Sequence, residues 1–121
     1  YNGDDRGVVD VVGGTCGQGA PTPDCYSTVP VLNIDEIAMT ATLVFHPTTP
    51  GYSYFGGNAE VLKNGNVEYD ECNDGSLTGS NGTVLEVTES PTPQMVWQMT
   101  VSGQDVYRAM RIPSLYPGVQ W

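Results

Sequence analysis

The chain has 121 residues and carries 14 acidic against 4 basic side chains, a formal net charge of -10, although only 15% of its residues are charged. This length fits a single domain with a buried core, and so few scattered cations exclude the basic stripe that nucleic acids or anionic membranes require. No apolar run approaches the ~18 residues of a membrane span. Plentiful glycine, proline, hydroxyl and amide side chains predict a secreted, extracellular or cell-surface protein without membrane insertion.

The first quarter of the chain combines a polar arm, a short strand and a cysteine loop. Residues 1–6 are acidic, and we expect them to form a mobile N-terminal arm. A β-branched strand is predicted from Gly7 to Val12. Cys16 and Cys25 flank a turn-rich loop that a disulfide between them would close, and a Cys25–Cys72 bond is the alternative. The third cysteine is then buried, free or bonded to another chain.

The next two predicted strands differ in strength. Tyr26–Leu32 reads as a strand, but Pro30 within it indicates an edge strand or a bulge. Ile37–His46 alternates strictly between two faces and is rich in threonine, valine and phenylalanine, which favours a strand over the helical alternative for residues 34–43.

The dipeptide Asn64-Gly65 predicts a β-hairpin because it is the preferred sequence of a two-residue turn. The alternating stretches 58–63 and 66–71 flank it. A two-residue turn places Glu60 opposite Tyr69, on a face with apolar neighbours that can raise the pKa of a carboxyl.

The last third of the chain predicts a second hairpin. A strand at Thr83–Glu89 precedes it, residues 94–102 alternate strictly, and Gly103-Gln104 fits a type II′ turn because glycine comes first. The return strand then places large apolar side chains on one face. The predicted cross-strand pairs are Val106 with Val101, Arg108 with Met99, Met110 with Trp97, and Ile112 with Met95.

These elements predict an all-β fold within one domain, residues 1–121, with an irregular C-terminal tail at 113–121. The expected architecture is an antiparallel β-sandwich or a partly closed barrel of about seven to eight short strands, with at least two β-hairpins.

Exposed aromatic rings with polar neighbours suit sugar rings or a protein partner, because they combine an apolar face with a hydrogen-bonding rim. One group of such side chains lies in a glycine-rich turn, and a second group shares the polar face of the predicted final hairpin. The candidate ligand-binding residues are Tyr52, Tyr54 and Phe55 in the turn, and Gln98, Thr100, Tyr107 and Arg111 on the hairpin.

Oxygen-bearing side chains before Gly75 form a candidate metal site, with calcium as the candidate cofactor although the EF-hand spacing is absent. The candidate ligands are Asp70, Glu71, Asn73 and Asp74. Asn81-Gly82-Thr83 is an N-glycosylation sequon, so Asn81 is a candidate glycosylation site.

No nucleophile motif accompanies the only histidine, His46, so no catalytic residue is assigned and a role other than catalysis is favoured. We expect a non-catalytic module that binds a carbohydrate or a protein, or that assembles as a homo-oligomer, polymer or surface filament. One alternative is a small secreted glycosidase-like hydrolase with paired carboxylates, in which Glu60 or Asp70 is the acid. The other is a secreted effector or inhibitor that binds a host protein.

Overall fold

The computed structural model describes residues 26–53, 56–72 and 81–112, and within these ranges the fold is all-β, as predicted. The arm at 1–6, the strand at Gly7–Val12 and the tail at 113–121 lie outside the described residues. Nowhere in the described ranges is there a helix long and apolar enough to cross a membrane. The strands are β1 Val31–Asp35, β2 Thr40–Phe45, β3 Asn58–Val61, β4 Val67–Glu71, β5 Gly82–Val87 and β6 Met95–Val101.

The described strands form two antiparallel sheets. One consists of β1 and β2, and the other has the order β3-β4-β5-β6. Pairing continues beyond the base of the first sheet, where Thr28 bridges Thr48 and the Val29 N–H donates to the Pro47 carbonyl at 3.2 Å. The predicted strand Tyr26–Leu32 is therefore an isolated bridge followed by β1.

The turn between β1 and β2 is a feature that the sequence pattern did not reveal. The Asp35 carboxylate accepts hydrogen bonds from the Ile37 and Ala38 N–H groups, both at 2.9 Å, which is the geometry of an Asx turn. The predicted strand from Ile37 is wrong at its start, because this side chain reverses the chain and β2 begins only at Thr40. Met39, in the same turn, has a left-handed backbone with φ 53°.

The β3–β4 hairpin is present, but its predicted register is wrong by one residue. Val61 pairs with Val67, so Glu60 lies opposite Glu68 and not opposite Tyr69. The cause is the turn: only Gly65 is left-handed, with φ 84°, which makes a three-residue loop with a glycine bulge in place of the two-residue turn.

The predicted final hairpin is wrong in its second half. β6 pairs with β5, but residues 104–112, here called the return segment, form no strand with β6. The return segment instead crosses the other face of the larger sheet, where side chains of β3 and β4 bind its backbone: the Ala109 N–H donates to the Asp70 carboxylate at 2.9 Å. These polar contacts take the place of the predicted β-ladder.

The core lies between the base of the first sheet and one face of the second. β4 is buried on both faces, since the core covers one and the return segment covers the other. Alternation along β4 therefore places Val67, Tyr69 and Glu71 on the core side of the sheet, and the acidic Glu68 and Asp70 under the return segment. The core cluster comprises Val29, Phe45, Val67, Tyr69, Leu85 and Val87, with Val31 and Ala59 packed against it.

Candidate functional site

Three glutamates form a line across the face of the larger sheet that points away from the core. Glu60 on β3 lies opposite Glu68 on β4, and Glu68 lies opposite Glu86 on β5. Directly paired residues project from the same face of a sheet, so the three carboxylates are neighbours. We call them the carboxylate row. Trp97 on β6 lies opposite Glu86 and continues the line.

Arg111 of the return segment binds all members of the carboxylate row. Its guanidinium forms ion pairs with Glu68 and with Glu86, the latter at 2.8 Å, and its backbone N–H donates to Glu60 at 2.8 Å. The guanidinium also lies 5.8 Å from the centre of the Trp97 ring, within the range of a cation–π contact. One residue thus joins four strands of the sheet to the return segment, through its guanidinium on β4, β5 and β6 and through its backbone on β3.

The rest of the return segment is fastened by further hydrogen bonds along its length. The side chains of Asn58 and Asp70 both form hydrogen bonds with the backbone of Ala109. The segment also approaches Gly82 so closely that a Cβ atom there would lie 2.5 Å from the Val106 nitrogen. The bonds are Gly82 N–H to Gln104 O (2.8 Å), Val106 N–H to Cys72 O (2.9 Å), Gly57 N–H to Tyr107 O (3.1 Å) and Asn58 Nδ2–H to Ala109 O (2.8 Å).

The two glutamates that share the guanidinium have opposite pKa shifts. Hydrogen bonds from the Asn66 and Asn64 amides, at 2.6 and 3.1 Å, together with Arg111, lower the pKa of Glu86. Burial raises the pKa of Glu68 because desolvation outweighs the attraction of Arg111. The charge of Glu86 is therefore well solvated by the protein, and the charge of Glu68 is not.

Asp70 is fully buried beside the carboxylate row, and its second carboxylate oxygen, Oδ2, has no hydrogen-bond partner within the described residues. Burial raises its pKa, although N–H groups of Ala109 and Asn58 donate to it. Burial also raises the pKa of the neighbouring Cys72 thiol to about 11, helped by the negative charges of Asp105 and Asp70. Cys72 is a free, buried thiol, so the alternative Cys25–Cys72 disulfide is absent.

Chemically, this arrangement holds a chain segment in place. Acid–base hydrolysis needs two carboxylates with substrate between them, but Glu68 and Glu86 are both about 5% exposed and hold one guanidinium between them. Glu60, the acid favoured by the sequence, accepts the Arg111 N–H. The opposite pKa shifts of Glu68 and Glu86 reflect the desolvation of Glu68 and the hydrogen bonds that Glu86 accepts.

The β1–β2 hairpin presents a second kind of surface. Its side chains alternate, so that Leu32, Ile34, Ala41 and Leu43 share one face, here called the hairpin face. The three large side chains of this face are each more than half exposed, and only Phe45 at the base of the two strands is buried. The opposite face is mainly polar, with Asn33, Asp35, Thr40 and Thr42.

The turn of this hairpin exposes two more apolar side chains. Ile37 is 98% and Met39 is 86% exposed, and we call these two residues the hairpin tip. The Asx turn made by Asp35 fixes the backbone beneath them. A left-handed backbone costs a residue with a Cβ atom roughly 1–2 kcal/mol, so the Met39 conformation is a strained one held by its surroundings.

His46 lies at the rim of a cavity of about 320 Å³ that is also lined by Phe45, Glu89 and Ser90. The Ser90 hydroxyl donates to the Thr92 carbonyl at 2.8 Å. Its proton is therefore engaged in the turn, which gives no indication of a nucleophile activated by the histidine.

The aromatic and polar residues singled out from the sequence do not form one surface. Tyr52 is only 1% exposed, while Tyr54 and Phe55 lie outside the described residues. Gln98 and Thr100 are exposed neighbours on β6, 3.2 Å apart between Nε2 and Oγ1. Tyr107 and Arg111 belong to the return segment, so they are not paired with β6 as predicted. A ligand-binding role for this set stays a prediction.

The predicted calcium ligands divide in a similar way. Asp70 and Glu71 are consecutive strand residues and point to opposite faces, and the Glu71 carboxylate accepts the Gly51 N–H at 2.8 Å. Asn73 and Asp74 lie outside the described residues, as do Cys16 and Cys25. No cluster of three or more acidic, histidine or cysteine side chains suited to a metal occurs in the ranges that the structure describes. Calcium binding stays a prediction.

Asn81, the predicted glycosylation site, has its side-chain oxygen 3.0 Å from the Gly103 nitrogen and accepts that N–H. Its modification stays a prediction.

Sequence reasoning missed Glu68, Glu86 and the hairpin tip. A glutamate in the middle of an apolar strand, as in Val67-Glu68-Tyr69 and Leu85-Glu86-Val87, was the available indication that both strands are buried on two faces. Such a glutamate needs a cation, and few cations are present in this chain. For the tip, the only indication was an aspartate followed by apolar residues without glycine or proline.

Comparisons of the chain with models of protein families, with curated proteins and with solved structures found no match.

Proposed function

We propose that this chain is an extracellular, non-catalytic β-sandwich module that binds another protein through the hairpin face and the hairpin tip. The observation that supports the proposal is the exposure of large aliphatic side chains along the whole β1–β2 hairpin, on one face and at the turn. A two-stranded sheet is marginally stable alone, and an exposed apolar face becomes favourable when a partner covers it.

The hairpin tip has the properties of an interface anchor. Ile37 and Met39 project from a turn that the Asp35 carboxylate holds in one backbone conformation. A preorganised backbone loses less conformational entropy on binding, which leaves more of the contact energy as affinity. Most of the binding energy of such an interface resides in a few anchoring side chains, and we assign this role to the tip.

Charge indicates the chemistry of the partner. Asp35 and Glu36 flank the tip, and no lysine or arginine occurs anywhere between Arg6 and Lys63. Electrostatic complementarity therefore favours a protein with an apolar pocket and a basic rim. A second copy of the chain is less suitable, because two molecules of net charge -10 repel each other. A sugar is less suitable too, since the exposed side chains are aliphatic and offer no flat ring for stacking.

Site-specific photocrosslinking tests the proposal. A benzophenone amino acid is placed at Ile37, and at Lys63 as the matched control in the exposed turn of the other hairpin, in cells that produce the protein naturally. We expect a covalent adduct with a different protein from position 37 and none from position 63. Asp35→Asn combined with Glu36→Gln removes the two negative charges next to the tip. This variant should give a lower yield of the adduct, because the basic rim of the partner then has no counter-charge.

The cross-linked protein, once identified and purified, provides the quantitative test. Ile37→Ser should weaken its binding at least about tenfold, the loss typical of an anchoring side chain. Val61→Ser, a change of an exposed aliphatic residue on β3, should leave binding unchanged. An adduct with a second copy of the chain would show that the tip mediates self-assembly, and it would refute binding to a different protein. Equal adducts from positions 37 and 63 would refute binding through the tip.

A further inference from the structure

The return segment lies on the sheet without belonging to a β-ladder. Side chains of Asp70, Asn58 and Glu60 bind its backbone, and Arg111 fastens its end to the carboxylate row. The segment is thus held by hydrogen bonds along its length and, at its end, by ion pairs between Arg111 and the buried carboxylates of Glu68 and Glu86. These ion pairs are partly accessible, because the side chain of Arg111 is 41% exposed, and ion pairs that reach solvent weaken as salt is added.

The outer edge of β6 is a second place where this segment fits. Among the described residues β6 has a strand partner, β5, on one side only. The segment carries the alternation that complements β6, with Arg108 opposite Met99 and Met110 opposite Trp97 in the register set by a two-residue turn. Gly103 already has the positive φ, 70°, that the first position of a type II′ turn requires.

The apolar side chains favour this second place. Met110 is 65% exposed in the return segment, and its predicted partner Trp97 is 43% exposed. Met95 does not share the face of Trp97, because a register shift in the β5–β6 ladder pairs it with the core residue Val87. A cross-strand pair of Met110 with Trp97 would stabilise the hairpin. The observed position, in contrast, keeps a carboxylate oxygen of Asp70 buried without a partner. The position on β6 thus covers apolar side chains that the observed position leaves exposed. The observed position instead provides a cation for the carboxylate row.

We propose that residues 105–112 exchange between two positions: on the carboxylate row, fastened by Arg111, and on the outer edge of β6, as the second strand of a hairpin. The ion pairs of Arg111 favour the first position over the second. On the row, the segment leaves the outer edge of β6 without a strand partner among the described residues, and this edge can accept a strand from another molecule. On β6, it covers that edge and exposes the carboxylate row, so the exchange determines which of two surfaces is accessible.

Nuclear magnetic resonance of the full-length chain tests the exchange. Arg111→Gln removes the ion pairs that hold the segment on the carboxylate row. Arg108→Gln is the matched control, because it removes the same charge from the same segment at a residue without an ion pair in the described part of the chain. In Arg111→Gln we expect proton contacts between Met99 and residue 108 and between Trp97 and Met110. Hydrogen exchange of the β6 amides that point away from β5 should slow at least about tenfold.

The control variant should keep the contact between Ala109 and Asp70 and the fast exchange of the β6 edge. If Arg111→Gln leaves residues 105–112 without contacts to β6, the segment is merely released and the proposal is refuted. If this variant does not fold, the wild-type protein in rising sodium chloride is the second test. Contacts between β6 and residues 105–112 should then increase as the ion pairs are screened, and their absence at 1 M salt would refute the proposal equally.

Discussion

Glu68 and Glu86 lie opposite each other across the β4–β5 ladder and bind the same guanidinium, yet their pKa values are shifted in opposite directions. The difference arises from their other neighbours. Two asparagine amides of the β3–β4 turn donate to Glu86, whereas Glu68 lies on a central strand between two other carboxylates.

This asymmetry predicts different effects of the same substitution. Glu86→Gln should lower the free energy of unfolding at pH 7 by about 1.5–3 kcal/mol, the range for a hydrogen-bonded charge, since three donors lose their carboxylate. Glu68→Gln should cost less than half as much or stabilise the protein, because it removes a charge that burial disfavours. Urea unfolding of both variants provides the comparison, and equal losses would contradict the assignment.

Asp70→Asn is expected to stabilise the protein at neutral pH. The native pKa of Asp70 is raised above its unfolded value, so the ionised carboxyl opposes folding at pH 7. This penalty begins to decrease as the pH falls below the native pKa and is lost only below the unfolded pKa. The gain should be on the order of 1 kcal/mol and should vanish near pH 3, below the unfolded value. Urea unfolding across this range measures it, with the exposed Glu89→Gln as control. Destabilisation of the Asp70→Asn variant at pH 7 would contradict this prediction, because it would show that the ionised carboxylate stabilises the folded protein.

Met39→Gly should separate stability from binding at the hairpin tip. Glycine adopts a left-handed backbone without strain, so we expect unchanged stability or a gain of up to about 1 kcal/mol, whereas Met39→Ala retains the strain. Both variants lack the exposed side chain and should bind the cross-linked partner more weakly. Thermal unfolding and titration calorimetry measure the two effects. Undiminished binding by both would remove Met39 from the proposed anchor.

Gly82→Ala should displace the return segment. The added Cβ atom would lie 2.5 Å from the Val106 nitrogen and also against the Val106 side chain, so the segment must move, at a cost of about 1–3 kcal/mol. Hydrogen exchange of the Val106 amide, which donates to Cys72, reports the displacement. Val106→Ala in the same chain should rescue only part of the loss, because the backbone contact remains. Normal protection of that amide in Gly82→Ala would contradict the close approach.

The sequence alone was sufficient for the all-β class and for the positions of β3, β4, β5 and β6, because alternation and Asn64-Gly65 are local features. It was insufficient for the register of β3. Whether Asn64 joins Gly65 in a left-handed conformation decides between a two- and a three-residue loop, and the same dipeptide serves both.

The return segment shows a different limit. Its alternation matches β6, yet in the structure it binds Asp70 and the carboxylate row, which lie 25 to 51 positions earlier in the chain than the residues that they bind. Local pairing rules do not include this competition, since it depends on which acidic side chains the sheet order brings together. The hairpin tip was missed because the Asp35 side chain supplies the turn that glycine or proline usually marks.

The turn type of the β3–β4 loop determines which face of β3 carries its acid. With three residues in the loop, Leu62 faces Asn66 and Glu60 belongs to the carboxylate row. If the same chain closed with Asn64-Gly65 alone, Lys63 would face Asn66, Glu60 would turn toward Tyr69, and Ala59 would turn toward Arg111. Deleting Lys63 would instead keep Leu62 opposite Asn66. A change of turn type alone would thus exchange the two faces of an entire strand, whereas a shorter loop would preserve them.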